Sequence, residues 1–210
     1  MPISPKRMPV MQHLNELRKR LIVVIVLVGV LTLVGYFYSD EIYRLLIGPM
    51  LPVLGDKGGY TFDLLEAMSN RFRLGMFGAV IVGSPVIIYE ALAFFLPALK
   101  PKERRWFGWT ALAAGALFLV GVAFCYFYIL APSTQWLVDQ RGETFALLLR
   151  AQSAMTFAMW FLAGFGMAFE VPVIVCYLVY FNVIPYSTLR KNWRTVWVVI
   201  VVAASMITPD

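Results

Sequence analysis

The sequence is short of nearly everything that soluble catalysis draws on. It has one histidine, His13, with no Cys/His cluster around it, so a zinc site of the usual kind has no ligands to assemble. Its two cysteines, Cys125 and Cys176, both lie inside apolar runs, where a thiol is more often a small packing residue than half of a disulfide, and they fix no redox compartment. There is no phosphate-binding Gly-Lys-Ser/Thr loop, no helical His-Glu-x-x-His, no internal repeat and no low-complexity tract. No metal, no cofactor and no catalytic residue is indicated, and an enzyme is not expected. Charge is scarce too. Only 14% of residues are charged, against roughly a quarter in soluble domains, while 60% of the 210 residues are hydrophobic. That balance belongs to helical, polytopic membrane proteins.

What is present in quantity is apolar sequence. Against the roughly 20 residues a helix needs to cross a bilayer, five segments stand out, at about 21–38, 74–96, 106–130, 157–181 and 195–207. The expected fold is all-α, a single transmembrane domain over 1–210. The fifth segment is short, covering roughly 20 Å at 1.5 Å per residue, and calls for local bilayer thinning or shelter by neighbours. Basic residues precede the first segment as they would a signal peptide. It is long for a cleavable core, however, and no small-x-small site follows Gly35, so it reads as a retained helix.

A net charge of +6 could suggest nucleic acid, but the basic residues flank apolar segments and form no continuous stripe, so nucleic acid is not an expected partner. They carry topology instead. Alternate compartments hold twelve and six Lys and Arg, which places the N-terminus and the 97–105 and 182–194 loops in the cytoplasm. In the first external connection Ile42, Leu45 and Leu46 follow a Ser39 cap, and Phe62, Leu65, Met68 and Phe72 repeat at helical spacing, predicting short helices on the outer face, separated by Pro49, Pro52 and the glycines near 55–59. Gly75, Ala79 and Gly83 on one segment, and Gly164 and Ala168 on another, predict close helix approach.

Acidic residues at the membrane carry the functional reading. Glu170 is the only charge between Arg150 and Arg190, and an ionisable group near a bilayer centre costs roughly 2.5 to 3.5 kcal/mol on insertion scales, so it is expected to face a protein interior or a wet cavity. Pro172 follows it, which predicts a bend and freed carbonyls that a protonated acid could simply satisfy. Glu16 stands four residues before Arg20, the favoured order for an intrahelical ion pair. Glu103 falls where the helix dipole favours an acid in the first turn of the third segment. Glu90 lies roughly 10 Å before the end of the second segment, within reach of the interface by extension.

Six stretches together resemble the TatC family, the polytopic subunit of the twin-arginine protein translocase. They are His13-Leu-Asn-Glu-Leu-Arg-Lys-Arg-Leu21, Ser84-Pro-Val-Ile-Ile-Tyr89, Phe94-Phe-Leu-Pro-Ala-Leu99, Lys102-Glu-Arg-Arg105, Phe165-Gly-Met-Ala-Phe-Glu-Val-Pro172 and Thr208-Pro-Asp210. The resemblance implies a non-enzymatic core subunit in the cell membrane, driven by the proton-motive force and acting as a homo-oligomer within a hetero-complex with TatA-like and TatB-like single-span subunits. It implies that Glu16 and Glu103 receive the arginine pair of a folded cargo's signal peptide, with Arg18 beside them orienting Glu16. It also implies that Glu170 contacts the single-span partners and that Thr208 helps dock them. Arginine suits such a site because its planar fork pairs bidentately with a carboxylate, as lysine cannot. Two departures accompany the likeness. Glu90 stands where relatives commonly carry Gln and is a possible additional acid. The family's sixth helix is missing beyond Asp210, so the chain is expected to be C-terminally incomplete.

Two other readings compete. A proton-coupled small-solute transporter would use Glu170 as its carrier on a helix broken at Pro172, although no paired repeat halves or second deeply placed charge accompany it. A plain membrane scaffold would satisfy every acid locally.

Overall fold

A computed structural model of the chain describes residues 10–54, 59–94, 101–140, 150–180, 185–194, 197–198 and 202. Among them the backbone is helical apart from turns and one isolated β-bridge. In order come α1 (Val10–Phe37), α2 (Ser39–Ile47), a 3₁₀ turn (Gly48–Met50), α3 (Leu51–Leu54), α4 (Leu64–Ala93) and α5 (Pro101–Phe124). A π turn (Cys125–Ile129), α6 (Leu130–Asp139), α7 (Ala151–Tyr180) and α8 (Tyr186–Lys191) follow.

Four stretches are long and apolar enough to cross a bilayer: His13–Phe37, Leu65–Ala93, Phe107–Asp139 and Ala151–Tyr180. They match the first four expected spans, but the helices overshoot the apolar segments. α1 begins at Val10 because Glu16, Leu17, Arg18, Lys19 and Arg20 are good helix formers and nothing after Pro9 interrupts them. A 28-residue helix is about 42 Å long, so its charged N-terminal turns extend past a hydrocarbon layer of about 30 Å. The fifth expected span lies almost wholly outside the described residues.

The chain forms two compact units, Met1–Tyr43 with Ala67–Leu119, and Arg44–Glu66 with Val120–Asp210. In the first, α1 and α4 run antiparallel: His13 and Arg20 meet Phe94 and Glu90 at one end, and Gly35 meets Gly75 at the other. The glycine crossing leaves no room for a side chain. A Cβ on Gly35 would lie 2.8 Å from the Gly75 Cα, and one on Gly75 would lie 2.8 Å from the Thr32 carbonyl oxygen. Ala79 is buried as expected, while Gly83 sits in ordinary contact with Leu27 and Leu31.

Pro85 lies inside α4 and cannot donate to the Ile81 carbonyl. The buried Ser84 hydroxyl donates to that oxygen at 2.7 Å, so the helix continues with its freed acceptor satisfied. Gly115 of α5 receives the proline: a Cβ there would lie 2.9 Å from the Pro85 Cα.

In the second unit, Met50, Cys125, Leu130 and Met155 are fully buried. The Tyr126 hydroxyl donates to the Leu45 carbonyl at 2.8 Å, pinning the end of α2 to the π turn. Gly121 lies against the Phe165 carbonyl, 2.8 Å from where its Cβ would be, and Phe124 packs on Phe165 and Phe169. The close approach to α7 therefore comes through Gly121. Ala168, expected to provide it, is exposed. Cys125 and Cys176 are both free thiols, the first buried and the second exposed.

The residues expected to form the first external connection differ from that expectation in two respects. Ser39 is not the cap of α2: it is the first helical residue, the Ile42 N–H bonds instead to the Tyr38 carbonyl, and the buried Ser39 Oγ finds no partner among the described residues. Leu65, Met68 and Phe72 do not form a separate short helix. They belong to the opening turns of α4, where their side chains are exposed, with Phe62 just before it. A membrane helix already starting at Leu64 absorbs the apolar periodicity that suggested an independent element.

Candidate functional site

Two buried or half-buried ion-pair clusters stand out, one in each unit. The first is built by α1 and the C-terminal end of α4. Residues at positions 13, 16 and 20 share one face of α1, and 90 and 94 share one face at the end of α4, by the three-to-four-residue repeat of a helix. His13 stacks on Phe94 with ring centroids 4.1 Å apart. About two turns further along α1, Arg20 reaches in two directions: its Nη2 donates to Glu16 Oε1 at 2.7 Å and its Nη1 to Glu90 Oε2 at 2.8 Å. All three side chains are about a fifth exposed, at 22% for Arg20, 25% for Glu16 and 17% for Glu90. An i,i+4 pair alone is worth only about 0.3 to 0.5 kcal/mol. The second carboxylate, from another helix and half withdrawn from water, turns a helix-surface pair into a tie between α1 and α4.

The chemistry of the triad is that of a guanidinium held between two acids, with a formal charge of −1. Glu16 Oε2 and Glu90 Oε1 take no part in the contact, and the buried Arg20 Nε has no hydrogen-bond partner among the described residues. Glu90 therefore does not extend alone to the interface. Arg18 is exposed, and the guanidinium that reaches Glu16 is that of Arg20, its neighbour but one.

The second cluster ties the start of α4 to the residue just before α7. Glu66, in the first turn of α4 and only 4% exposed, accepts from Arg150 Nε and Nη2 at 3.0 and 3.1 Å and from the Phe62 N–H at 3.2 Å. The carboxylate raises Arg150 further above its ordinary pKa through these hydrogen bonds and its charge. Beside the pair, the Ala151 N–H donates to the Tyr60 carbonyl at 2.9 Å, and Tyr60 and Arg150 form the isolated bridge. Gly59, with φ 141°, lies so near that a Cβ would come 2.8 Å from the Ala151 nitrogen and Cα.

A family profile described as Sec-independent protein translocase protein (TatC) matches residues 12–210. The chain belongs to the TatC family. TatC of Carboxydothermus hydrogenoformans is 28% identical over 208 residues, covering 99% of this chain and 84% of that one. TatC of Escherichia coli K12 is 31% identical over 204 residues, 96% of this chain and 78% of that one. A crystal structure of the twin arginine translocase receptor TatC superposes with a TM-score of 0.80 at 28% identity, covering 94% of this chain and 88% of that chain. The all-α, multi-pass architecture expected from the sequence is thus that of TatC, a family of translocase components and not of enzymes. The comparisons give no support to a small-solute transporter. In keeping with this, α7 runs unbroken through Pro172 to Tyr180.

The remaining site residues are distributed as follows. Glu103 lies on the first turn of α5, whose opening side chains are outside the described ones. Glu170 is half-buried on α7, where Pro172 leaves the Ala168 carbonyl without its usual donor. Thr208 is outside the described residues. Sequence reasoning missed the bridging role of Arg20 and the pair of Glu66 with Arg150. Arg20 was visible as the i+4 partner of Glu16, but its second bond spans 70 positions. The Glu66 pair spans 84, and no spacing rule reaches so far.

Proposed function

We propose that this TatC-family chain is the receptor and core subunit of a twin-arginine translocase in the cell membrane, with its N-terminus in the cytoplasm. The observation that carries the reading is the half-buried Glu16 carboxylate, already engaged with a guanidinium at 2.7 Å. A group placed to hold one arginine is suited to the arginine pair of a signal peptide. Glu103, at the start of α5, supplies a second carboxylate, and the exposed Arg18 borders the face. Glu170, half-buried on a helix otherwise free of charge, meets the TatA-like and TatB-like partners, and Thr208 helps dock them. Several copies work together within the hetero-complex, and the proton-motive force drives transport.

The test is equilibrium binding of a fluorescent signal peptide to the purified chain in detergent, Arg-Arg against Lys-Lys, at several salt concentrations. Glu16→Gln and Glu103→Gln are each expected to weaken Arg-Arg binding about tenfold or more, the loss of a charge-assisted hydrogen bond, and to abolish the preference over Lys-Lys. Equal, salt-sensitive binding of both peptides by the unsubstituted chain would count against the receptor role.

A further inference from the structure

Arg20 is chemically the same group as the ligand that the proposed site receives. It is held by Glu16, one of the carboxylates assigned to that ligand, and by Glu90, which has no assigned part. We infer that Arg20 is a resident competitor, an internal guanidinium that occupies Glu16 until a signal-peptide arginine displaces it, and that Glu90 is the carboxylate onto which it is displaced. The inference rests on the receptor reading and adds a means of regulation to it.

Three features support an exchange. The strongest guanidinium–carboxylate contact is the fork in which two parallel N–H groups meet both oxygens of one carboxylate. Arg20 makes that fork with neither partner; it gives one nitrogen to each acid and engages one oxygen of each. A peptide arginine able to use both oxygens of Glu16 therefore has the better geometry. Second, the buried Nε of Arg20 has no hydrogen-bond partner among the described residues, a donor that a turn of the side chain towards Glu90 could satisfy. Third, Glu90 lies on a different helix from Arg20, so the arginine keeps a carboxylate after leaving Glu16 and is not abandoned as an unpaired charge at the membrane boundary. With Gln at position 90 that refuge would be weaker and Arg20 would stay on Glu16.

The effects of substitution differ from those of a simple strut. Arg20→Lys keeps the charge but puts a single ammonium where a fork bridged two acids. It is expected to tighten Arg-Arg peptide binding about threefold to tenfold, with Lys-Lys binding unchanged. Arg20→Gln should tighten Arg-Arg binding at least as much. Glu90→Gln should weaken it about threefold to tenfold, because Arg20 then has only Glu16. The double variant Arg20→Gln/Glu90→Gln, with no competitor left to place, should bind at least as tightly as the unsubstituted chain. Peptide binding to all four variants in detergent, alongside their thermal midpoints, decides the matter. Arg20→Lys and Arg20→Gln that both fold and bind no more tightly would overturn the competitor role while leaving the receptor reading intact. A double variant as weak as Glu90→Gln would likewise overturn it, since Glu90 would then be touching the peptide itself. Absence of any Arg-Arg preference in the unsubstituted chain would overturn the receptor reading, and the competitor with it.

Discussion

At the scale of single residues, Glu66 and Arg150 show how unequal the two halves of an ion pair can be. The carboxylate is buried and accepts from both the Arg150 guanidinium and the Phe62 N–H in the first turn of α4, where the helix dipole also favours a negative group, whereas the side chain of Arg150 is 48% exposed. Removing the arginine strands a buried charge; neutralising the acid merely returns an arginine to water. Arg150→Ala is therefore expected to lower the thermal midpoint in detergent clearly more than Glu66→Gln, and 0.5 M salt should move the midpoint little. Equal shifts for the two variants would mean that the pair is not desolvated. The exposed pair of Arg71 with Asp40, 3.2 Å apart, is the comparison, and Asp40→Asn should have almost no effect.

Helices set the next scale, and here proline and glycine decide the packing. Ser84 supplies the donor that Pro85 lacks, so Ser84→Ala is expected to cost about 1 kcal/mol and Ser84→Thr much less, read from unfolding in detergent. Gly35→Ala and Gly75→Ala should each cost about 1 to 3 kcal/mol by forcing α1 and α4 apart. Gly29→Ala, with nothing within 4 Å of the added methyl, should be neutral or slightly stabilising. If Gly29→Ala were as harmful as Gly75→Ala, helix crowding would not be the cause. These elements also mark what could be read beforehand. Apolar runs located four spans, because a bilayer imposes length on any helix that crosses it. The charged opening turns of α1 were visible as helix only through the i,i+4 spacing of Glu16 and Arg20, since hydropathy registers lipid contact and not backbone state. Gly75 announced close packing, but its partner Gly35 did not, and Gly121 was hidden because its contact is with a carbonyl, which every residue has. Glu16 and Glu90 were each singled out alone; only a fold in which α1 and α4 run antiparallel brings them to one arginine.

On the scale of the whole molecule, the proposed orientation rests on the basic residues, which the positive-inside rule divides twelve to six between the two faces. Reporter fusions that are active on only one face of the membrane check this. A fusion after Gln140 should report the outer face and one after Asn192 the cytoplasm; the reverse pattern would invert the topology and remove Glu16 from the side where cargo is made. The second unit can also be followed by itself, and the chain already carries the means. Its cysteines are unpaired, Cys125 shut inside the second unit and Cys176 open on α7, six positions beyond Glu170. A thiol-reactive spin label should therefore couple at one site without a cysteine-free background being built first. The unaltered sequence thus offers its own spectroscopic reporter on the helix of the intramembrane acid, and label-to-label distances in a bilayer would show whether copies of the chain associate and how they are then arranged.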